Sequence, residues 1–184
     1  RVLFRSVTPG DEGDRLDNGR IRATVDPDGH LVSLIAHADG REAIPAGEPA
    51  ARLRIHRDLP NRWDAWDLDA HYRRGVTELA RPDERRLEQA PGSATVVTVH
   101  RTGRSTIERR ITLRAGAVAL EVELRIDWRE QERILKLAFP LDVHADRGAA
   151  ETQFGHLFRP THTNTSWDAA RFEACQHRFI HVDR

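Results

Sequence analysis

Three features of this 184-residue chain predict an all-β fold, an antiparallel β-sandwich with almost no helix. Val118, Leu120, Val122, Leu124, Ile126 and Trp128 alternate with polar residues without a miss, which suits a strand with one dry and one wet face. Residues 94–101, ATVVTVHR, are rich in the β-branched types that suit a pleated surface. Turn signals built on Gly, Pro and Asp recur at the short spacing of all-β folds, and helical periodicity is nearly absent.

The elements follow in order. Arg1–Val7 is a short, weakly apolar segment, followed by the loop TPGDEGD. Leu16–Val25 places Ile21, Ala23 and Val25 on one face. Asp26-Pro27-Asp28-Gly29 is a turn, because Pro presets φ and Gly accepts positive φ. Leu31–Ile35 then completes a hairpin, and Ala38-Asp39-Gly40 turns the chain again. Leu53 and Ile55 mark a further strand after a loop holding Pro49. Val76–Leu79 and Arg85–Gln89 read as short, charged edge strands. Ala94–Arg101 is a strand, Gly103 turns it, and Ile107, Arg109, Ile111 and Leu113 share one face of the next. Ala115-Gly116 leads into the alternating run. Ile134–Phe139 is apolar apart from Lys136 and reads as a strand buried inside the sandwich, ended by Pro140. Thr152–Phe158 is another strand, Ser166 caps a helical turn over Trp167–Arg171, and Phe172–Val182 closes the chain as a strand. No repeat or linker interrupts it, so the reading is a single domain over residues 1–184.

Composition narrows the function classes. The 29 basic and 29 acidic residues cancel, which leaves no basic footprint for nucleic acid. No apolar run approaches the length of a membrane span, and no leader peptide is read. The cytoplasm is the expected compartment. Cys175 is the only cysteine, so an internal disulfide is excluded. The chain holds no methionine, and it is read as excised from something longer.

Two stretches break the alternation: NRWDAWDLDAHY at Asn61–Tyr72 and RPTHTNTSWDAARFEACQH at Arg159–His177. Trp63 and Trp66 beside Asp64 and Asp67 supply what a sugar-binding surface needs. Indole faces cover the apolar faces of pyranose rings, and carboxylates accept hydroxyl hydrogen bonds. The plainer alternative is that the rings plug the loop onto the sandwich and the carboxylates cap turns. Asp69, His71 and Tyr72 extend the polar set. Arg159, His162, Asn164 and Asp168, among short hydroxyl side chains, make either a buried hydrogen-bond network or a site wall. His177 and His181, with Cys175, have spacing that zinc permits, but no second ligand pair accompanies them, and no metal site is assigned. Nucleophile, phosphate-loop and zinc-protease motifs are missing, so no catalytic residue is assigned. A glycosidase carboxylate pair drawn from Asp64, Asp67 or Asp168 has nothing to set its separation.

LDNGRIRATVDPDGHLVSL, DLPNRWDAWDLDAHY, LKLAFPLDVHAD and QFGHLFRPTHTNTSWDAARFEACQHRF resemble the C-terminal β-region of the family 38 glycoside hydrolases, the α-mannosidases, from about Leu16 to Val182. The resemblance is strongest to the branch of bacteria and fungal vacuoles. It implies a galactose-mutarotase-like β-sandwich (a supersandwich) in a larger multidomain enzyme. It further implies a parent that is retaining and zinc-dependent, with zinc and an aspartate nucleophile on an N-terminal catalytic domain. The family's H-x-D zinc block and nucleophile region are absent here, so the expectation is a non-catalytic fragment that binds no zinc itself. It would brace and partly line a site for mannose-containing glycans. On this resemblance Trp63, Asp64, Trp66, Asp67, Arg159, His162 and Asn164 are the expected substrate contacts. His177-Arg178-Phe179 departs from relatives that often carry Lys-Trp after the histidine. The alternatives are a stand-alone carbohydrate-binding module and a structural module that associates into a homo-oligomer.

Overall fold

The computed structural model describes residues 6–64 and 66–182. Most of the expected Arg1–Val7 segment, and Ala65 in the aromatic stretch, lie outside the described residues. The predicted all-β, antiparallel architecture is what forms. It has fourteen strands, one short 3-10 helix and one short α-helix among the described residues. The chain divides into two compact units, Arg1–Leu141 and Asp142–Arg184.

In the first unit, β1 (Ser6–Thr8), β2 (Asp14–Asp17), β3 (Ile21–Val25) and β4 (Leu31–Ala36) form one sheet in sequential order. The sequence reads Leu16–Val25 as a single run, but Asp17-Asn18-Gly19-Arg20 breaks it into a hairpin. Asn18 Oδ1 accepts from Arg20 N (2.9 Å) and Ile21 N (3.0 Å), and Gly19 takes the positive φ that the turn needs. The predicted turn at Asp26–Gly29 forms, closed by Gly29 N donating to Asp26 O at 2.9 Å.

A second sheet holds β7 (Glu84–Ala90), β8 (Ser93–Thr102), β9 (Ser105–Arg114) and β10 (Glu121–Asp127). The register pairs Ala94 with Leu113, Val96 with Ile111, and Thr98 with Arg109, so these side chains share one face. That face meets Leu16, Ala23, Val25 and Leu31 of the first sheet in a common core. Each fully buried Leu or Ile here contributes about 1.5–3 kcal/mol. The opposite face carries Arg86, Glu88, Glu108, Arg110, Glu123 and Arg125 in a ladder of alternating charge, whose aliphatic stems blanket Val97 of β8.

Two expectations change here. The alternating run becomes a strand only over Glu121–Asp127. Its apolar face is half-covered, because β10 is an edge strand, and Val118 is 71% exposed ahead of it. Ile134–Phe139 is not interior. β11 (Arg133–Ala138) is the edge of a third sheet, β11-β5-β6, with β5 (Arg52–Arg57) between it and β6 (Val76–Glu78). The charged segments Val76–Leu79 and Arg85–Gln89 do contain edge strands.

The second unit is a sheet of β13 (Gly155–Pro160), β12 (Arg147–Thr152) and β14 (Ile180–Val182). The predicted strand Thr152–Phe158 is in fact a hairpin turning at Gln153-Phe154, with Phe154 at φ 65°. Phe172–Val182 is strand only over Ile180–Val182. The helix α1 (Ser166–Ala170) is capped by Thr165, not by Ser166. No helix among the described residues is long and apolar enough to cross a membrane.

Candidate functional site

The Asn61–Tyr72 stretch is a loop fixed at both ends. Asn61 N donates to Asp69 Oδ2 at 2.7 Å, and His71 Nε2 contacts Leu59 O at 3.1 Å. The 3-10 helix Ala70–Arg74 follows and buries Tyr72, which is 6% exposed. The Tyr72 ring meets His56 edge-on at 5.1 Å, and its hydroxyl accepts from Lys136 Nζ at 2.7 Å. The chain's only lysine is thereby committed to the anchor.

Tyr72, not tryptophan, therefore holds the loop down. Trp63 is 66% exposed and Trp66 is 88% exposed, so the alternative in which the rings plug the loop fails. The tip is tight: Trp66 N (2.6 Å) and Asp67 N (2.9 Å) both donate to Trp63 O, and Trp63 sits at φ 60°. A bulky residue in the left-handed region costs energy that a loop tip rarely spends without a role. Asp64 and Asp67 are exposed on the same tip, and among the described residues neither carboxylate is ion-paired. Trp63, Asp64, Trp66 and Asp67 thus share one wet, aromatic-acidic loop tip.

The second candidate group behaves differently. His162, Asn164, Thr165 and Asp168 form a network, but it is local and, apart from the half-buried Asp168, exposed. Asp168 N donates to Thr165 Oγ1 (3.1 Å) and Thr165 N donates to Asp168 Oδ2 (3.2 Å), which makes a capping box, and Thr165 Oγ1 adds a bond to the same carboxylate oxygen (2.7 Å). The Thr165 hydroxyl holds the Asp168 carboxyl below its ordinary value. His162 Nδ1 lies 3.6 Å from Asp168 Oδ2, and Asn164 N is 3.5 Å from that same imidazole nitrogen. Arg159 stands apart on β13, half-buried, with its Nε lacking a hydrogen-bond partner. Trp167 is 75% exposed. Among the described residues, no three His, Cys, Asp or Glu side chains gather into a metal-binding group, and Cys175 is exposed.

Sequence reasoning missed a pair of hollows in the first unit. One, of about 380 Å³, is lined by Arg57, Leu59, His71, Tyr72, Arg74 and Gly75. The other, of about 210 Å³, shares Arg57 and Gly75 and adds Ile55, His56, Val76, Thr77 and Arg133. They form where the 3-10 helix crosses the end of β5, a juxtaposition with no local sequence signal.

The sequence profile described as the glycosyl hydrolases family 38 C-terminal domain matches residues 16–184. Alpha-mannosidase 2C1 of Homo sapiens is 36% identical over 168 residues, covering 90% of this chain and 16% of that protein. The alpha-mannosidase of Saccharomyces cerevisiae is 29% identical over 189 residues, covering 95% of this chain and 18% of that protein. The chain thus spans less than a fifth of the length of these relatives. The crystal structure of an alpha-mannosidase from Enterococcus faecalis V583 superposes with a TM-score of 0.73 over 98% of this chain and 23% of that one. The 13% identity between them makes this a likeness of fold.

Proposed function

Because the chain belongs to the glycosyl hydrolase family 38 C-terminal domain family, we propose that it serves a longer α-mannosidase as a non-catalytic β-region, bracing and partly lining a site for mannose-containing glycans. The observation that carries this reading is the hydrogen-bonded tip holding Trp63 and Trp66 in water beside Asp64 and Asp67. Exposed indoles held by a strained, hydrogen-bonded turn offer a stacking platform with little entropy left to lose on binding. Arg159, His162 and Asn164, in the second unit, are assigned the lesser role of polar glycan contacts. The zinc and the aspartate nucleophile of the retaining reaction are assigned to the remainder of the longer enzyme. The described residues of this chain do not fit a metal, since no ligand set gathers among them. Substrates and partners of the whole enzyme enter here only as part of this proposal.

The test is an NMR titration of the chain with mannose oligosaccharides, which reads millimolar affinities. The indole N–H signals of Trp63 and Trp66 are expected to move saturably. Trp66→Ala, at a ring that supports no core, should weaken binding about 10-fold while leaving the melting temperature unchanged. Shifts confined to other residues, or none at high millimolar sugar, defeat the reading.

A further inference from the structure

We propose that the two joined hollows over β5, β6 and the 3-10 helix form a subsite for an oxyanion carried by a glycan, such as a phosphate, sulfate or carboxylate substituent. The proposal rests on the carbohydrate reading above for the sugar and on separate observations for the anion.

The first observation is a register. Arg57 and Arg133 are direct cross-strand partners in the β5–β11 pairing, so two guanidinium groups face each other on neighbouring strands. Like charges placed so are destabilising. Elsewhere the chain avoids the problem by alternating sign: Arg54 lies opposite Glu78, Glu123 opposite Arg110, and Arg125 opposite Glu108, and each of these pairs is bridged. Arg54 also faces Lys136, but there Glu78 binds the guanidinium and Tyr72 takes the ammonium. At Arg57 and Arg133 no ion pair with a carboxylate forms among the described residues, although the Arg133 charge helps hold the nearby Glu130 carboxyl below its ordinary value. Arg133 spends one N–H on Glu132 O at 3.0 Å, and the adjacent Glu130 carboxylate is committed to Arg104 N (2.9 Å) and Ser105 Oγ (2.8 Å).

The second observation is the lining. Neither hollow has an Asp or Glu in its wall, although the chain carries as many acids as bases. Arg57 lines both hollows, Arg74 enters one and Arg133 the other. Arg57 and Arg74 have no carboxylate partner among the described residues, whereas Arg86, Arg101, Arg110, Arg114, Arg125 and Arg129 are all ion-paired. Planar guanidinium forks bind tetrahedral and carboxylate oxyanions in bidentate fashion. The larger hollow, at about 380 Å³, falls at the low end of small-ligand pockets. Its floor, Tyr72, and its rim, Leu59 and His71, belong to the loop that carries the tryptophan tip. A sugar on that loop is therefore on the same segment as the anion hollow.

The experiment titrates the full chain with mannose, mannose 6-phosphate and inorganic phosphate at low and high salt. Mannose 6-phosphate is expected to bind about 10-fold more tightly than mannose, with the advantage lost in the Arg57→Gln/Arg74→Gln variant and reduced by salt. Both arginines are exposed, and losing the Arg57–Arg133 repulsion should leave the variant at least as stable as the parent. In Trp66→Ala both sugars should weaken while their ratio holds. Equal affinity for the two sugars, or a phosphate advantage that survives the arginine variant, overturns the proposal. So does inorganic phosphate binding as tightly as the sugar phosphate, since recognition then needs no glycan. A phosphate advantage with no response from the Trp66 variant would sink the mannose reading and leave the anion site standing.

Discussion

Arg109 sits where periodicity alone would place an isoleucine, between Ile107 and Ile111 on the core face of β9, and it is 1% exposed. Its guanidinium donates to Ala51 O and, at 3.0 Å, to Asp28 O, partners 58 and 81 residues away. A glycine at position 29 follows from this: an added Cβ would lie 2.2 Å from Arg109 Nη2 and 2.5 Å from Thr98 Cγ2, at a φ that already favours glycine. Burial pulls the guanidinium down to about 10, so it stays charged at neutral pH. The same face holds His100, 2% exposed, with its Nε2 unpartnered. Burial, reinforced by the Arg109 charge, pushes this imidazole down to about 4 from 6.5. The folded state therefore resists a proton that the unfolded chain accepts below about pH 6.5. Stability is at its full value above that point, falls as pH drops, and levels off below about 4. Between pH 7 and pH 5 the expected loss is about 2 kcal/mol, measured as unfolding free energy in urea. His100→Gln should flatten that slope, and an unchanged slope would assign it elsewhere. Asp26 does not blur the window. Burial raises its carboxyl but hydrogen bonds from His30 outweigh this and hold it below 3.8, so its contribution is lost only in stronger acid.

At the scale of elements, the sequence signals that held were those generated by adjacent residues. Asp26-Pro27-Asp28-Gly29 turns, Val/Thr-rich Ser93–Thr102 is a strand, and charged Glu84–Ala90 is an edge. The signal overlooked was Asp17-Asn18-Gly19, a strong short-range hairpin marker hidden inside an apparently continuous strand. Asn18 does more than turn the chain. Its Nδ2 donates to Arg114 O and Ala117 O, both at 2.8 Å, which ties the β2–β3 hairpin to the β9–β10 connection. Asn18→Ala should cost about 2 kcal/mol, because it unpairs backbone groups on both hairpins. Asn18→Asp keeps the acceptor for Arg20 N and Ile21 N but loses both donors, so equilibrium urea midpoints of the two variants separate the turn from the tie. If Asn18→Asp unfolds at the same midpoint as the parent, the tie carries no weight. Thr165 shows the opposite error: helix position was readable, but the capping box needs Asp168 at the third helical position, which selects Thr165 over Ser166.

At the scale of the whole chain, family membership rests on a profile match over residues 16–184, while the relatives are several times longer. In the proposed reading the reactive groups belong to that longer protein. Added zinc and an aryl α-mannoside should therefore give no turnover above the uncatalysed rate with this chain. Turnover abolished by Asp64→Asn or Asp168→Asn would make it a catalyst in its own right and refute the reading. The two candidate stretches lie in different compact units, Trp63–Asp67 in the first and Arg159–Asn164 in the second, a division that composition did not reveal.

By itself the sequence determined the fold class, the strand-rich centre, the main turns and the family signature. These depend on neighbours along the chain: side-chain period, φ preferences and runs of residue type. Burial and register were decided only by tertiary structure. Residues distant in sequence decided that Tyr72 rather than a tryptophan anchors the loop, that Ile134–Phe139 lies at an edge, and that Arg57 faces Arg133. Each of these depends on which strand pairs with which, and in what phase. That choice is set by the free energy of the assembled sheet, not by any one segment.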